Sequence, residues 1–255
     1  MPTGIGAGIA GLVFKNKVGS STPPPSFENL YSVMFNGVDQ SLRLLNTAPL
    51  LGTGGTGDWS VSFWIKPASI TSGNQRLWAF GAGGTQQTQM FIQSSGNLQF
   101  SGPWSDGFSS PGNGLVAGQW AHIVYRVNRA SSSLNVGYVT NGVNINNKNQ
   151  SISTTFDDTG HTYFGRNVGS FGFRGHMDEF AIYNKYLSNA EVTEIYNSGA
   201  PNDLSTLSTS ANLQHWWRMG DPLGQPSYPT IADTVGSLDV NMVNQADTDI
   251  TTDVP

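Results

Sequence analysis

FRGHMDEFAIYNKYLSNAEVTEIYNSG, residues 173–199, sets a strand, a turn and a capped helix in immediate succession. From Met177 to Tyr183 the side chains alternate with period two, which groups Asp178, Phe180 and Ile182 on one face and Met177, Glu179, Ala181 and Tyr183 on the other. Ser188 and Glu191 then stand at the Ser-x-x-Glu spacing of a capping box, where a hydroxyl and a carboxylate satisfy the free backbone donors of a helix start. Val192, Ile195 and Tyr196 recur at three- and four-residue intervals and give that helix a narrow apolar stripe. Gly199 and Pro201 predict its end.

Outward from this segment the chain reads as strands joined by polar turns. Only 11% of the 255 residues are charged and 31 are glycine, a composition suited to many short strands with tight connections. Tyr31, Val33 and Phe35, the turn Asn36-Gly37, and Leu42 with Leu44 predict a hairpin. Trp59, Val61, Phe63 and Ile65 form the core face of the next strand, which Pro67 ends. Further strands are expected at residues 76–80, 89–93, 97–101, 120–127, 134–140 and 162–166, with Asn141-Gly142 as a tight turn. No crossover helices separate them. The expected fold class is therefore all-β, a two-sheet antiparallel jelly-roll sandwich with one short C-terminal helix and extended termini. The domain is placed at residues 27–220, after an N-terminal arm and proline-rich linker at 1–26 and before a C-terminal extension at 221–255.

Charge and composition remove several function classes. A net charge of −5 with scattered basic residues excludes a nucleic-acid partner. The absence of cysteine excludes disulfides and thiolate chemistry. IGAGIAGLVF (residues 5–14) is apolar but too short to span a bilayer, and no basic stretch precedes it as in a secretory leader, so no membrane insertion is expected. The four histidines stand apart, without the spacing of a metal site.

YSVMFNGVDQSLR (31–43), DWSVSFWIKP (58–67), GQWAHIVYRV (118–127), YVTNG (138–142) and YFGR (163–166), together with the 173–199 segment, resemble the laminin-G-like branch of the concanavalin A-like lectin/glucanase superfamily. The resemblance covers Tyr31 to Leu204 and implies a sandwich that carries lectins, adhesion modules, hydrolase domains and structural parts alike. Glucanases of the superfamily use a Glu-x-Asp-x-x-Glu pattern whose acids share a face. Around Asp178-Glu179 stand His176, Phe180 and Ala181 instead, and neighbouring strand residues point to opposite faces, whereas retaining glycosidases hold two carboxyls about 5–5.5 Å apart. No catalytic residue and no enzyme activity is expected. The pair is assigned to structure, capping loop amides or pairing with Arg166 or Arg174.

Many laminin-G-like domains bind calcium at a sheet edge, which makes Asn36, Asp39 and Asp178 ligand candidates if the first hairpin neighbours the last strand. No Asp-x-Asp-x-Asp loop supplies a local cage, so no cofactor is assigned and calcium stays an open alternative. Trp104 and Phe108 lie in a Gly/Ser/Pro/Asp-rich loop, residues 101–114, and are the ligand-binding candidates for stacking on a sugar. The competing assignment tucks both beneath their own loop as a satellite cluster. Trp59, Trp78, Trp120 and one of Trp216 or Trp217 are expected in the core.

LQHWWRM (213–219) predicts a strand that Gly220-Asp221-Pro222 breaks, and its WWRMGD stretch (216–221) together with the acidic DTDITTDVP (247–255) is similar to laminin-G-like proteins encoded by marine bacteriophages. That similarity implies a non-enzymatic virion protein, a capsid decoration or a tail or fibre component. Its expected partners are other virion proteins reached through the N-terminal arm, further copies of itself as a homo-oligomer, and host-surface polysaccharide. The alternative is an extracellular carbohydrate-binding lectin or adhesion module without a virion role.

Overall fold

The computed structural model describes residues 27–46, 50, 57–82, 87–102, 108–110, 112–130, 133–151, 160–166, 171–220 and 228–255. In chain order the strands begin with β1 (Ser32–Asn36), β2 (Ser41–Asn46), β3 (Trp59–Pro67), β4 (Gln75–Ala82), β5 (Thr88–Ile92) and β6 (Leu98–Ser101). They continue with β7 (Phe108–Ser110), β8 (Ala121–Ala130), β9 (Ser133–Thr140), β10 (Val143–Ser151), β11 (Gly160–Phe164) and β12 (Arg174–Tyr183). After helix α1 (Asn189–Tyr196) come β13 (Leu213–Trp217), β14 (Thr230–Ile231), β15 (Val240–Val243) and β16 (Ile250–Thr251). They form two antiparallel sheets. The first runs β10-β9-β8-β3-β12-β1-β16, with β13 also paired to β12, and the second runs β14-β15-β2-β11-β4-β5-β6-β7. The all-β sandwich with one short helix is the fold that alternation and composition predicted.

The inner faces meet in one core. Trp59, Val61, Phe63 and Ile65 of β3 face Trp78 and Phe80 of β4, Phe100 of β6 and Phe164 of β11, all fully buried. Trp59, Trp78, Phe100 and Tyr125 pack as an aromatic cluster, with the Phe100 and Tyr125 rings stacked at 4.0 Å. At Gly165, with φ +77°, a Cβ would lie 2.3 Å from the Phe35 ring, so the bend that ends β11 admits only glycine. Trp120 is not core. It is half-buried at the rim, where its Nε1 donates to Asp253 at 3.1 Å. Trp216 and Trp217 are both buried, but in different clusters, as adjacent residues of a strand must be.

Residues 31–44 do not form the expected hairpin. β1 pairs with β12 and β16, and β2 pairs with β11 and β15, so the Asn36-Gly37 turn carries the chain from one sheet to the other. Crossing over lets Val33 and Phe35 meet Leu42 and Leu44 through the core rather than side by side. The segment read as a C-terminal extension supplies strands to both sheets: β15 pairs with β2, and β16 with β1. Helix α1 has the predicted capping box, Glu191 N–H donating to Ser188 Oγ and Ser188 N–H to the Glu191 carboxylate. It stops at Asn197, which takes the left-handed conformation (φ +46°) two residues before Gly199.

β12 departs from simple alternation. Its register against β3 shifts between Asp178 and Ala181, Glu179 has φ +48°, and Met177, Phe180 and Ile182 all enter the main core. This is a bulge, in which one extra residue resets the faces. Asp178 and Glu179 therefore do not point to opposite faces; both turn to the outer side, toward residues 27–29. There Ala181, Tyr183, Val192, Ile195, Leu213 and Trp216 build a second cluster that seats α1 on the first sheet.

His122 lies under that helix, 1% exposed, with Nε2 2.8 Å from Ser62 Oγ and its ring between Trp64 and Tyr196. Burial pushes its pKa down to about 3. The folded value lies below the unfolded one, so the stability that neutral His122 contributes is complete above about pH 6.5. It is lost at about 1.4 kcal/mol per pH unit as the pH falls toward the folded value. Urea titrations between pH 6.5 and 4 should show this loss in the parent chain and a markedly flatter profile in His122→Gln.

Candidate functional site

The residues nominated as calcium ligands are not brought together. Asn36 Oδ1 accepts from the N–H groups of Val38 and Asp39 at 2.8 and 3.2 Å, and Asn36 Nδ2 donates to the Asp39 carboxylate at 2.9 Å, so the two close their own turn. Asp178 lies four residues along β12 from Arg174, the partner of Asn36, or about 13 Å away along the ladder. Among the described residues no three His, Asp or Glu side chains could hold a metal ion. Trp104 lies outside the described residues. Phe108 opens β7, where its backbone pairs with Phe100.

The two central carboxylates are committed to the scaffold. Asp178 is fully buried and accepts from Asn29 Nδ2 at 2.9 Å and from Glu179 N–H at 2.8 Å. Glu179 is 4% exposed and accepts from Trp216 Nε1 at 2.5 Å and Arg218 Nε at 3.2 Å. Arg218 in turn lies over the rings of Phe27 and Trp216, at 4.5 and 5.2 Å. Its role as the cation was assigned from sequence to Arg166 or Arg174. Both acids are buried and engaged by these donors, and neither lines the cleft on this sheet's outer face.

Among the described residues two surfaces bear on binding. On the outer face of the first sheet a cleft of about 480 Å³ is lined by Met34, Lys66, Pro67, Arg174, Gly175 and His176 among others. The C-terminal segment closes one side of this region, with Asp253 accepting from Lys66 Nζ at 2.7 and 2.9 Å and Ser32 Oγ donating to its carbonyl at 2.6 Å. Burial acts to raise the Asp253 pKa, but the hydrogen bonds from Lys66 and Trp120 outweigh it and hold the carboxyl below its usual range. Burial likewise lowers the His176 pKa, partly offset by Asp253.

The other surface is the outer face of the second sheet. Strand registry sets Thr230, Asn241, Arg43, Tyr163, Ala79, Gln89 and Ser101 side by side across it, each flanked along its own strand by core residues. A second row holds Arg76, Phe91, Gln99 and Ser109. The Ala79–Gln89 centre is covered, while Asn241 and His161 are exposed and Arg43, Tyr163, Arg76 and Arg166 are half-exposed. Phe171, 54% exposed and held at φ +56°, stands beside Arg76, whose guanidinium lies 4.0 Å from the centroid of the Phe91 ring. A strip of amide, hydroxyl and guanidinium donors beside exposed aromatic edges matches what a polyhydroxylated ring requires, apolar contact on one side and directional hydrogen bonds around it. Sequence reading put the aromatics in a loop and missed this strip, whose one legible signal was polar residues at alternate positions of predicted strands.

No curated protein matches the sequence significantly. Among solved structures, a Bacteroides ovatus protein proposed to bind carbohydrate superposes with a TM-score of 0.64 at 16% identity over 90% of this chain. The chain spans 62% of that protein's length. A heptameric SAP-like pentraxin of Limulus polyphemus gives 0.51 at 17% identity, over 66% of this chain and 82% of its own. The carbohydrate-binding domain of a Ruminococcus gnavus sialidase, bound to α2,3-sialyllactose, gives 0.51 at 11% identity, over 65% of this chain and 96% of its own. These likenesses concern the fold. A laminin-G family profile, described as the concanavalin A-like lectin/glucanases superfamily, matches residues 36–193, well over half of the chain, and with the two-sheet sandwich in place the chain belongs to that superfamily.

Proposed function

We propose that the chain is a non-enzymatic carbohydrate-binding protein that takes its glycan on the outer face of the second sheet, and that it serves on the surface of a bacteriophage particle. The observation that carries the first part is the Thr230–Asn241–Arg43–Tyr163 row, four polar or aromatic side chains in direct registry on four adjacent strands, with His161, Arg166 and Phe171 beside it. Strand-borne groups keep their spacing without a ligand, which lowers the ordering cost of binding. The similar Bacteroides ovatus protein, proposed to bind carbohydrate, and the Ruminococcus gnavus domain bound to sialyllactose support the same class of ligand.

The particle setting rests on the resemblance of residues 216–221 and 247–255 to phage-encoded laminin-G-like proteins, with the arm at 1–26, outside the described residues, as the segment that ties the domain to virion neighbours. Peptide mapping of purified particles tests this part. Recovery of the chain in stoichiometric amounts is expected, and its absence from intact particles refutes the setting while leaving the glycan reading intact.

On a glycan array, Tyr163→Ala should weaken the binding seen for the parent chain at least about tenfold, a change of about 1.4 kcal/mol, with an unaltered melting temperature. Binding that survives the substitution would move the site elsewhere. Glu179→Gln should cost roughly 3 kcal/mol of stability, because it leaves Arg218 buried beside a neutral partner. Neither form should hydrolyse a polysaccharide; turnover by the parent that Glu179→Gln removes would establish an enzyme.

A further inference from the structure

Arg43, Arg76 and Arg166 share one feature that the proposed glycan face does not explain. The Nε–H of each is shielded from water and has no hydrogen-bond partner, and the same is true of Nη1 of Arg76. Shielded, unpaired guanidinium donors cost stability, more than neutral ones do, and each asks for an acceptor. Among the described residues no carboxylate pairs with them: the ion pairs use Lys66, Lys185, Arg218, His176 and His215, and none uses these three arginines. Asp39 offers Arg166 only its main-chain carbonyl, at 3.0 Å, while its carboxylate accepts from Asn36 Nδ2. In the two outer rows of the second sheet the described residues include no Asp or Glu at all. In a chain of net charge −5 this face is a local cationic strip.

From these unmet donors we propose that the second sheet binds an acidic polysaccharide through its sugar carboxylates, an inference that rests on the reading of this face as the glycan site. A carboxylate matches the guanidinium fork with two parallel hydrogen bonds, which a neutral hydroxyl cannot. Arg43 and Arg76 lie two strands and about two residues apart, roughly 12 Å between backbones at ordinary sheet spacings. The Arg76 guanidinium lies over Phe91 of β5, on the side of β4 away from β2, so one carboxylate does not serve both arginines as they stand. The ligand is therefore a polymer that presents several acidic residues, with Tyr163 between the two arginines as a ring for the intervening sugar. The ring centroid of Phe171 lies 6.0 Å from the Arg76 guanidinium, and rotation of this ring would widen the approach to Nε and Nη1. Its side chain is half-exposed, so the motion displaces little packing.

Native gels of the full chain containing polygalacturonate, alginate or hyaluronate test this, with dextran, dextran sulfate and polyphosphate as comparison polymers. Retardation by at least one carboxylated polymer is expected, weakening as salt is raised through about 0.1 M, where screening becomes short-ranged. Arg76→Gln and Arg43→Gln should each raise the apparent Kd about tenfold or more, and Lys185→Gln, in the connection between β12 and α1, should leave it unchanged, all with parent-like melting curves. Monomeric galacturonate should not compete. Retardation by dextran alone would overturn the acidic assignment and keep the glycan reading. Equal retardation by polyphosphate, or stronger retardation by dextran sulfate, would overturn the carboxylate assignment. Retardation by no polysaccharide would overturn the glycan reading itself.

Discussion

The bulge at Asp178-Glu179 is the constraint on which the first sheet depends. β12 has β3 along one edge and must share the other between β1, which pairs from Arg174 to Met177, and β13, which pairs from Phe180 to Tyr183. The extra residue at the junction lets one partner end and the next begin without losing the inward direction of Met177 and Phe180. It leaves two carboxylates buried where the partners change. Asn29, Trp216 and Arg218 supply the donors that make this tolerable, and in doing so they fasten the entry to β1 and the end of β13 to the same point. Burying an ion pair gains little over apolar packing, whereas breaking one is costly. The arrangement thus specifies which strands meet more than it adds stability.

The same junction explains what could be read in advance. Local rules transferred directly: the alternation of residues 59–66, the Ser188/Glu191 cap and the Asn141-Gly142 turn each depend on residues within a few positions, and each is present as expected. Pairings between distant segments did not transfer. Asn36-Gly37 has the residues of a hairpin turn, yet β1 and β2 go to different sheets because their partners come from residues near 160, 175, 240 and 250. β14, β15 and β16 are two to four residues long, too short to show a period, and so their segment read as a tail. Two adjacent acids inside an apolar strand were the one local sign of the bulge, and strict alternation concealed it.

The proposed glycan face was illegible for a related reason. Arg43, Tyr163, Arg76 and Asn241 are neighbours only through the registers of β15, β2, β11 and β4. Alternation could assign each to an outer face but could not set them in one row. Loop aromatics drew attention because a large apolar side chain among Gly, Ser and Pro violates a pattern, and a polar residue at an outward strand position violates none.

Net charge was a weaker guide than the partition of charge. The acids are largely consumed as internal acceptors: Asp233 takes N–H groups of Trp216, Val235, Gly236 and Leu238, Asp249 takes Gln40 and Ala246, Asp58 takes Asn128 and Arg129, and Glu191 caps α1. A sandwich rich in turns needs such acceptors wherever backbone N–H groups lack a ladder partner. Its carboxylates therefore gather at turns and strand ends, and the interiors of the second sheet's outer rows keep arginine without acid. A chain of net charge −5 can in this way present a cationic surface to a polyanion, since a ligand responds to the local field and not to the sum.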